Sequence, residues 1–154
     1  MIEALRSLEV RAVVTCGPAI ELASLPQPPN VHLCASAPHN RLLPEASVVV
    51  THAGHGTVIR SLAAGVPLLC MPMGRDQNDN AARVVARGAG LRLSPRAESK
   101  AIRRAVQVLL QDTRYRTQAR GMGRQIAEDA RNSQAVRVLE EAARDSEPEL
   151  ARSA

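Results

Sequence analysis

Two histidines and two glycines within six residues form the segment of this sequence with the clearest chemistry. The run His52-Ala53-Gly54-His55-Gly56-Thr57 follows an apolar, β-branched stretch at 47–51. We predict a buried parallel strand there, then a glycine turn and a helix over 58–64 that Thr57 helps to cap. The first amides of such a helix bind anions such as phosphate, and His52 at the strand's carboxyl end can donate to a phosphate oxygen.

The same turn could belong to a dinucleotide site, a P-loop or a zinc site, or it could carry no function. The run from Gly54 lacks the third glycine of a dinucleotide fingerprint, although Asp76 lies at about the usual twenty residues beyond it. No Gly-Lys-Ser/Thr of a P-loop occurs anywhere in the chain. A zinc site at His52 and His55 lacks a third ligand nearby. A tight turn with two incidental histidines stays open as the alternative.

A second polar cluster follows the next apolar stretch, at 68–71. After the loop 72–75, Asp76 is placed to cap a helix that ends at Gly88. The carboxylate of Asp76 and the amide of Gln77 also lie at the end of the strand adjacent to the phosphate turn. There they could accept from and donate to sugar hydroxyls.

The ordered matches along this region are specific to one family. The segment from Leu42 to Gly90 resembles the donor-binding domain of GT-B glycosyltransferases of family 1, which include plant and animal UDP-glycosyltransferases and bacterial enzymes that glycosylate antibiotics. Weaker similarity extends from about Val10 to about Ala143. The matching stretches are Thr51-His52-Ala53-Gly54-His55-Gly56-Thr57, Ala64-Gly65-Val66-Pro67, Pro72-Met73-Gly74-Arg75-Asp76-Gln77, Asn80-Ala81 and Gly88-Ala89-Gly90.

The resemblance implies a role for each group of site residues. The diphosphate of the donor would be held by His52 and by the backbone at Gly54, His55, Gly56 and Thr57. The transferred sugar would contact Asp76 and Gln77. The nucleoside would lie against Ser36, Ala37, His39 and Arg60. No metal or other cofactor is expected, since the nucleotide sugar is itself the donor substrate.

The chain departs from the family at two nucleoside positions. Ser36 stands where plant members carry an aromatic residue, so base stacking on that side chain is absent. Arg60 stands where they carry the acid that binds the ribose hydroxyls, unless it is a solvated surface charge. Losing that acid favours a 2′-deoxy donor, a TDP-sugar, over a UDP-sugar.

The implied fold is α/β: a Rossmann-like parallel sheet with helices on both faces, the C-terminal half of a GT-B fold. The family's C-terminal domain opens with a central strand that precedes the helix at which this sequence starts. Without that strand, those near 10–15 and 47–51 would each have an unpaired edge. The acceptor-binding domain, with its catalytic base, is also not part of this sequence.

The expected function is that of a glycosyltransferase donor domain. It would bind a TDP- or UDP-hexose for inverting transfer to a hydroxyl, such as that of a small lipophilic or natural-product acceptor, and the isolated chain would be inactive. The alternatives are a donor-binding subunit of a two-subunit enzyme and a non-catalytic nucleotide-sugar binding module. In the first two cases the partner is an acceptor domain or subunit.

Composition sets the remaining expectations. At 154 residues without Phe or Trp, the chain suits one domain with an aliphatic core, here residues 1–145, followed by a flexible tail at 146–154. The net charge of +5 lies largely on mixed-charge helices without an aromatic platform, so no nucleic acid is expected. No apolar run approaches membrane-spanning length and no signal peptide is visible, which favours a cytoplasmic protein without stable membrane insertion. We expect the three cysteines to be buried reduced thiols.

The predicted elements alternate along the chain and end in three helices. Gly121 and Gly123 are expected to weaken the middle one of these. The predicted strands not yet given cover 10–15 and 31–34, and the predicted helices cover 1–9, 98–111, 113–130 and 133–144, with a possible helical turn at 20–25.

Overall fold

Short parallel strands alternate with helices through residues 1–145, the part of the chain that the computed structural model describes. The predicted tail at 146–154 lies outside the described residues. The strands are β1 (Ala12–Thr15), β2 (Val31–Cys34), β3 (Val49–Thr51), β4 (Leu68–Cys70) and β5 (Gly90–Arg92). The helices are α1 (Ile2–Arg6), α2 (His39–Leu42), α3 (His55–Ala63), α4 (Gln77–Ala86), α5 (Ser99–Gln111), α6 (Thr113–Arg131) and α7 (Ala135–Asp145), with 3₁₀ turns at Leu22–Ser24 and Leu43–Glu45.

The strands pair in parallel, as predicted, but in two separate sheets. One contains β1 and β2, and the other has the order β3-β4-β5. Three predicted strands are longer than those observed: β1 begins only at Ala12, β3 begins only at Val49, and β4 ends at Cys70. For the second, Arg116 donates to the carbonyls of Ala46 and Ser47 at 3.1 and 3.0 Å, so these groups serve a side chain instead of a ladder.

Two layers of helices cover the sheets. One apolar cluster contains Leu5 of α1, Leu69 of β4 and Val106 of α5, with β1 and β2 packed against the same group. The other contains Leu68 of β4 and Leu62 of α3, with parts of α4 and α6. Because successive strand residues point to opposite faces, Leu68 and Leu69 lie in different clusters. The predicted arrangement of helices on both faces is confirmed.

A glycine in α6 has a packing role that the sequence did not reveal. A Cβ placed on Gly123 would lie 2.7 Å from the carbonyl oxygen of Leu62 and 3.1 Å from that of Ala63. Glycine was expected only to weaken this helix. In the structure the missing side chain lets the backbones of α6 and α3 approach closely, which fixes α3 against α6.

One edge of β1 and one edge of β3 have no paired strand within residues 1–145. The amides of Ala12 and Cys16 donate to carbonyls on the β2 side, at 2.9 and 3.0 Å. Since backbone groups alternate in direction along a strand, Val13 and Thr15 present theirs to the opposite edge. The unpaired edge predicted for this strand is therefore observed within the described residues.

The same alternation applies to β3. Val49 donates to the carbonyl of Pro67 at 3.0 Å, and Thr51 accepts from the amide of Met71 at 2.8 Å. The backbone groups of Val50 therefore face away from β4. Val13, 47% exposed, adds apolar surface beside the other open edge. Unpaired edges of this kind promote association between chains.

We predict an alternating pattern of amide hydrogen exchange along β1 and β3. The amides of Val13, Thr15 and Val50 should exchange about 10-fold faster than those of Ala12, Cys16 and Val49, the equivalent of one net hydrogen bond of ~1.4 kcal/mol. Exchange monitored by NMR on dilute monomer measures this. The central strand β4, paired on both sides, is the internal control. Equal protection of both sets would show that another strand covers the open edges.

Candidate functional site

The turn after β3 leads directly into α3. The helix begins at His55, with Gly54 as its N-cap, so the predicted capping role of Thr57 is wrong. The amides of Thr57 and Val58 both donate to the carbonyl of Gly54 at 3.1 Å. The amides of His55 and Gly56 are the first two of the helix and have no acceptor inside it. They form the positive end of the α3 dipole.

The imidazole of His52 lies beside this helix start. A Cβ on Gly54 would lie only 2.7 Å from His52 Nε2, so the ring packs against the glycine backbone. His52 and His55 are both exposed. The structure thus places an imidazole nitrogen and the first two amides of α3 together at the end of β3.

Ala53 holds the turn in a conformation that the sequence did not reveal. Its φ of 67° lies in the left-handed region, which costs a non-glycine residue about 1 kcal/mol. The residue is fully buried, its amide donates to Thr51 Oγ1 at 3.2 Å, and its carbonyl accepts from Asn80 Nδ2 at 3.1 Å. Both polar groups of the turn are therefore fixed by side chains.

Asp76 and Gln77 lie at the end of β4, the neighbour of β3. Asp76 occupies the N-cap position of α4, but its side chain makes no capping bond, so its predicted helix-capping role is wrong. Instead its Oδ2 accepts from Asn80 Nδ2 at 2.8 Å. Arg75, just before it, has a φ of 55°. Both non-glycine residues with positive φ in the described chain, Ala53 and Arg75, lie in these two loops, where stored strain marks candidate function.

Gln77 has only one end of its amide available. Its Oε1 accepts from the amides of Met73 and Gly74 at 2.8 and 3.3 Å, so the loop backbone occupies the oxygen. The Nε2 group remains as a donor. Asp76 and Gln77 together offer an acceptor and a donor, the pair that two sugar hydroxyls require.

Three of the four predicted nucleoside residues line one pocket. The cavity of about 670 Å³ lies between α2 and the second half of α3, and Ala37, His39 and Arg60 are among its lining residues. Ser36 is exposed and does not line it. Arg60 follows His55 by five residues, ~7.5 Å along the helix axis. Helix α3 therefore contributes to both places: its first turn adjoins the phosphate turn and its second half lines the pocket.

The remaining sequence expectations concern cysteines, metals and membranes. Cys70 is a buried thiol, and burial raises its pKa to about 11 against the opposing effect of Arg92. Cys16 and Cys34 are also free but only half-buried, contrary to expectation.

Within 1–145 no three potential ligands gather around His52 and His55, as a zinc site requires. No described helix is both long and apolar enough to cross a bilayer.

Comparison with known proteins identifies the family. Residues 2–143 match the family described as "Erythromycin biosynthesis protein CIII-like, C-terminal domain", and the chain belongs to it. The 4'-demethylrebeccamycin synthase of Lentzea aerocolonigenes is 40% identical over 119 residues, covering 77% of this chain and 28% of that protein. The chain thus spans less than a third of this relative's length.

Solved structures with the same fold are GT-B glycosyltransferases. The calicheamicin glycosyltransferase CalG4 superposes with a TM-score of 0.80 at 32% identity, over 88% of this chain and 36% of that one. The spinosyn rhamnosyltransferase SpnG, in complex with thymidine diphosphate, gives 0.75 at 26% identity, over 82% and 35%. The chain has the fold of the C-terminal half of such enzymes, as predicted.

We predict that Gly54→Ala displaces the imidazole of His52, whereas Gly56→Ala does not. A methyl group at 54 would overlap the ring nitrogen, while a Cβ at 56 meets nothing within 4 Å. The ¹⁵N and ¹H shifts of the His52 ring, recorded on the ligand-free chain, should change only in the first variant. Unchanged ring shifts in Gly54→Ala would mean that the ring does not rest on this glycine.

Proposed function

We propose that this chain is the donor-binding domain of an inverting glycosyltransferase that uses a TDP- or UDP-hexose. One observation carries the proposal: a phosphate-type helix start and a sugar-type acceptor and donor pair lie at the ends of two adjacent strands. His52 and the first amides of α3 form one half, and Asp76 with Gln77 forms the other. Relatives of this chain are glycosyltransferases, which supports the assignment.

The proposed reaction breaks the bond between the anomeric carbon and the diphosphate oxygen. An acceptor hydroxyl attacks the anomeric carbon from the opposite side and loses its proton to a base, and the nucleoside diphosphate leaves with the bonding electrons. Negative charge grows on the diphosphate, next to the amides of His55 and Gly56 and the imidazole of His52. Preorganised donors of this kind are worth roughly 10²- to 10³-fold in rate each.

The acceptor-binding site and the catalytic base would be supplied by a separate domain or subunit. None of the four histidines of this chain, His32, His39, His52 and His55, is assigned as the base. We propose a small lipophilic or natural-product alcohol as the acceptor. The antibiotic-type enzymes among the relatives support that class. No metal takes part in the proposal, because helix amides and a histidine receive the leaving group.

The nucleoside is proposed to occupy the pocket between α2 and α3. Arg60 there offers only donors, so it cannot accept a hydrogen bond from the ribose 2′-hydroxyl. A deoxyribose therefore gives up no bond in which the 2′-hydroxyl would donate to residue 60. The thymidine diphosphate held by the related SpnG also supports a TDP donor.

We expect His52→Ala to weaken TDP binding by about 10- to 100-fold, the range for a hydrogen bond to a charged group, and His55→Ala to weaken it much less. The side chain at 52 is the proposed donor, whereas residue 55 contributes its backbone amide, which alanine retains. Calorimetric titration of both variants with TDP and UDP measures the difference. Equal small losses would remove His52 from the diphosphate site.

We expect Arg60→Glu to shift preference toward UDP relative to TDP by about 2- to 12-fold, the equivalent of one hydrogen bond of ~0.5 to 1.5 kcal/mol. The new carboxylate could accept from the ribose 2′-hydroxyl, which TDP lacks. Arg104→Glu, the same charge change at an exposed position of α5, should leave the UDP/TDP ratio unaltered. If Arg60→Glu also leaves the ratio unaltered, residue 60 does not face the ribose.

A further inference from the structure

Asn80 lies between the two halves of the proposed site and touches both. It sits in the first half of α4, four residues after Asp76, and is only 8% exposed. Its Nδ2 donates to Asp76 Oδ2 at 2.8 Å and to the carbonyl of Ala53 at 3.1 Å. An amide nitrogen has two hydrogens, so these two bonds use its full donor capacity.

The bond to Ala53 acts on the phosphate turn. The φ of Ala53 lies in the left-handed region, which an alanine adopts only when the surrounding structure imposes it. Thr51 Oγ1 fixes its amide, and Asn80 fixes its carbonyl. The Ala53 carbonyl directly precedes Gly54. Gly54 is the N-cap of α3, and the His52 ring packs against it. The direction of the proposed diphosphate donors therefore depends on this bond.

The bond to Asp76 acts on the sugar half. It fixes one carboxylate oxygen, Oδ2, and so sets the rotation of the group. Within residues 1–145, Oδ1 has no hydrogen-bond partner, which leaves it available to a ligand hydroxyl. A carboxylate on the exposed side of an N-cap position would otherwise turn freely or bond the helix amides.

We propose that Asn80 is a positioning residue that couples the diphosphate-binding turn to the sugar-binding carboxylate, and that it acts on the sugar through Asp76. This rests on the proposed function, since it concerns the same donor site. A merely structural asparagine would stabilise the chain but would not alter discrimination between a nucleotide and its sugar conjugate. The coupling makes that discrimination depend on a residue that touches neither ligand.

The test is a double-mutant cycle read by calorimetry. The measured quantity is the ratio of the dissociation constants for TDP and TDP-glucose, which reports what the sugar adds to binding. Asp76→Ala should reduce this ratio toward one, and Asn80→Ala should reduce it by roughly 10-fold. The double variant should lose no more than Asp76→Ala alone, because the effect of Asn80 passes through Asp76. Affinity for TDP itself should fall in Asn80→Ala and not in Asp76→Ala.

Asn78→Ala is the matched control. Asn78 is the same residue type on the same helix, exposed, and bonded to Arg92 at 2.8 Å. It should change neither affinity nor ratio. Asn80→Asp provides a second variant of the same size in case the alanine variant fails to fold. At neutral pH it sets two carboxylates together, and protonation at acid pH restores one donor. Its ratio should therefore recover relative to wild type as the pH falls.

The outcomes separate the two proposals. A wild-type chain that binds neither ligand overturns the proposed function and this inference with it. If wild type prefers TDP-glucose and Asn80→Ala retains that preference, the proposed function stands and the inference fails. A loss of the ratio in Asn80→Ala that persists in the Asp76→Ala background also overturns it, because Asn80 would then act by another route.

Discussion

Parallel pairing of β3 with β4 is the constraint on which the candidate site depends. The register that joins Val49 to Leu68 and Thr51 to Cys70 brings both strands to an end at the same edge of the sheet. Each strand then enters a loop that starts a helix, so the N-termini of α3 and α4 lie side by side. Everything assigned to the diphosphate and the sugar follows from that alignment, as ligand sites in open α/β sheets generally do.

Among the described residues, strand pairing does not connect the β3-β4-β5 sheet to the β1-β2 sheet. The helices α1 and α5 share one apolar cluster that reaches both sheets, yet no described strand joins β1 to β3. Apolar packing, and not a strand ladder, holds the β1-β2 sheet and the β3-β4-β5 sheet together. The candidate site belongs wholly to the better paired part, apart from the nucleoside pocket, which also uses the segment after β2.

The fold class was predicted from the resemblance of several ordered motifs to one family, and the strand, turn and helix around His52 were predicted from local glycine and apolar patterns. Ser36, assigned to the nucleoside by the same resemblance, does not line the pocket that contains Ala37, His39 and Arg60. Prediction from sequence also failed where two local bonds compete. The side chain of Asp76 was expected to cap α4, but it accepts instead from Asn80, four residues later on the same helix face. Thr57 was expected as a cap, but the helix begins three residues earlier than predicted, at His55, just after the left-handed Ala53 and the N-cap Gly54. Neither the tie through Asn80 nor the conformation of Ala53 has a sequence pattern of its own.

Gly123 shows how the orientation of α3 is set from outside the site. The close approach of α6 lies at the carbonyls of Leu62 and Ala63, in the last turn of α3, whereas the free amides lie in its first turn. A helix of nine residues is ~13.5 Å long and behaves as a short rigid rod. A contact that tilts one end of this helix moves the other, so the direction of the helix dipole depends on the interhelical contact with α6 at the opposite end of α3. Homologues that differ at this joint would present the same loop sequence at a different angle.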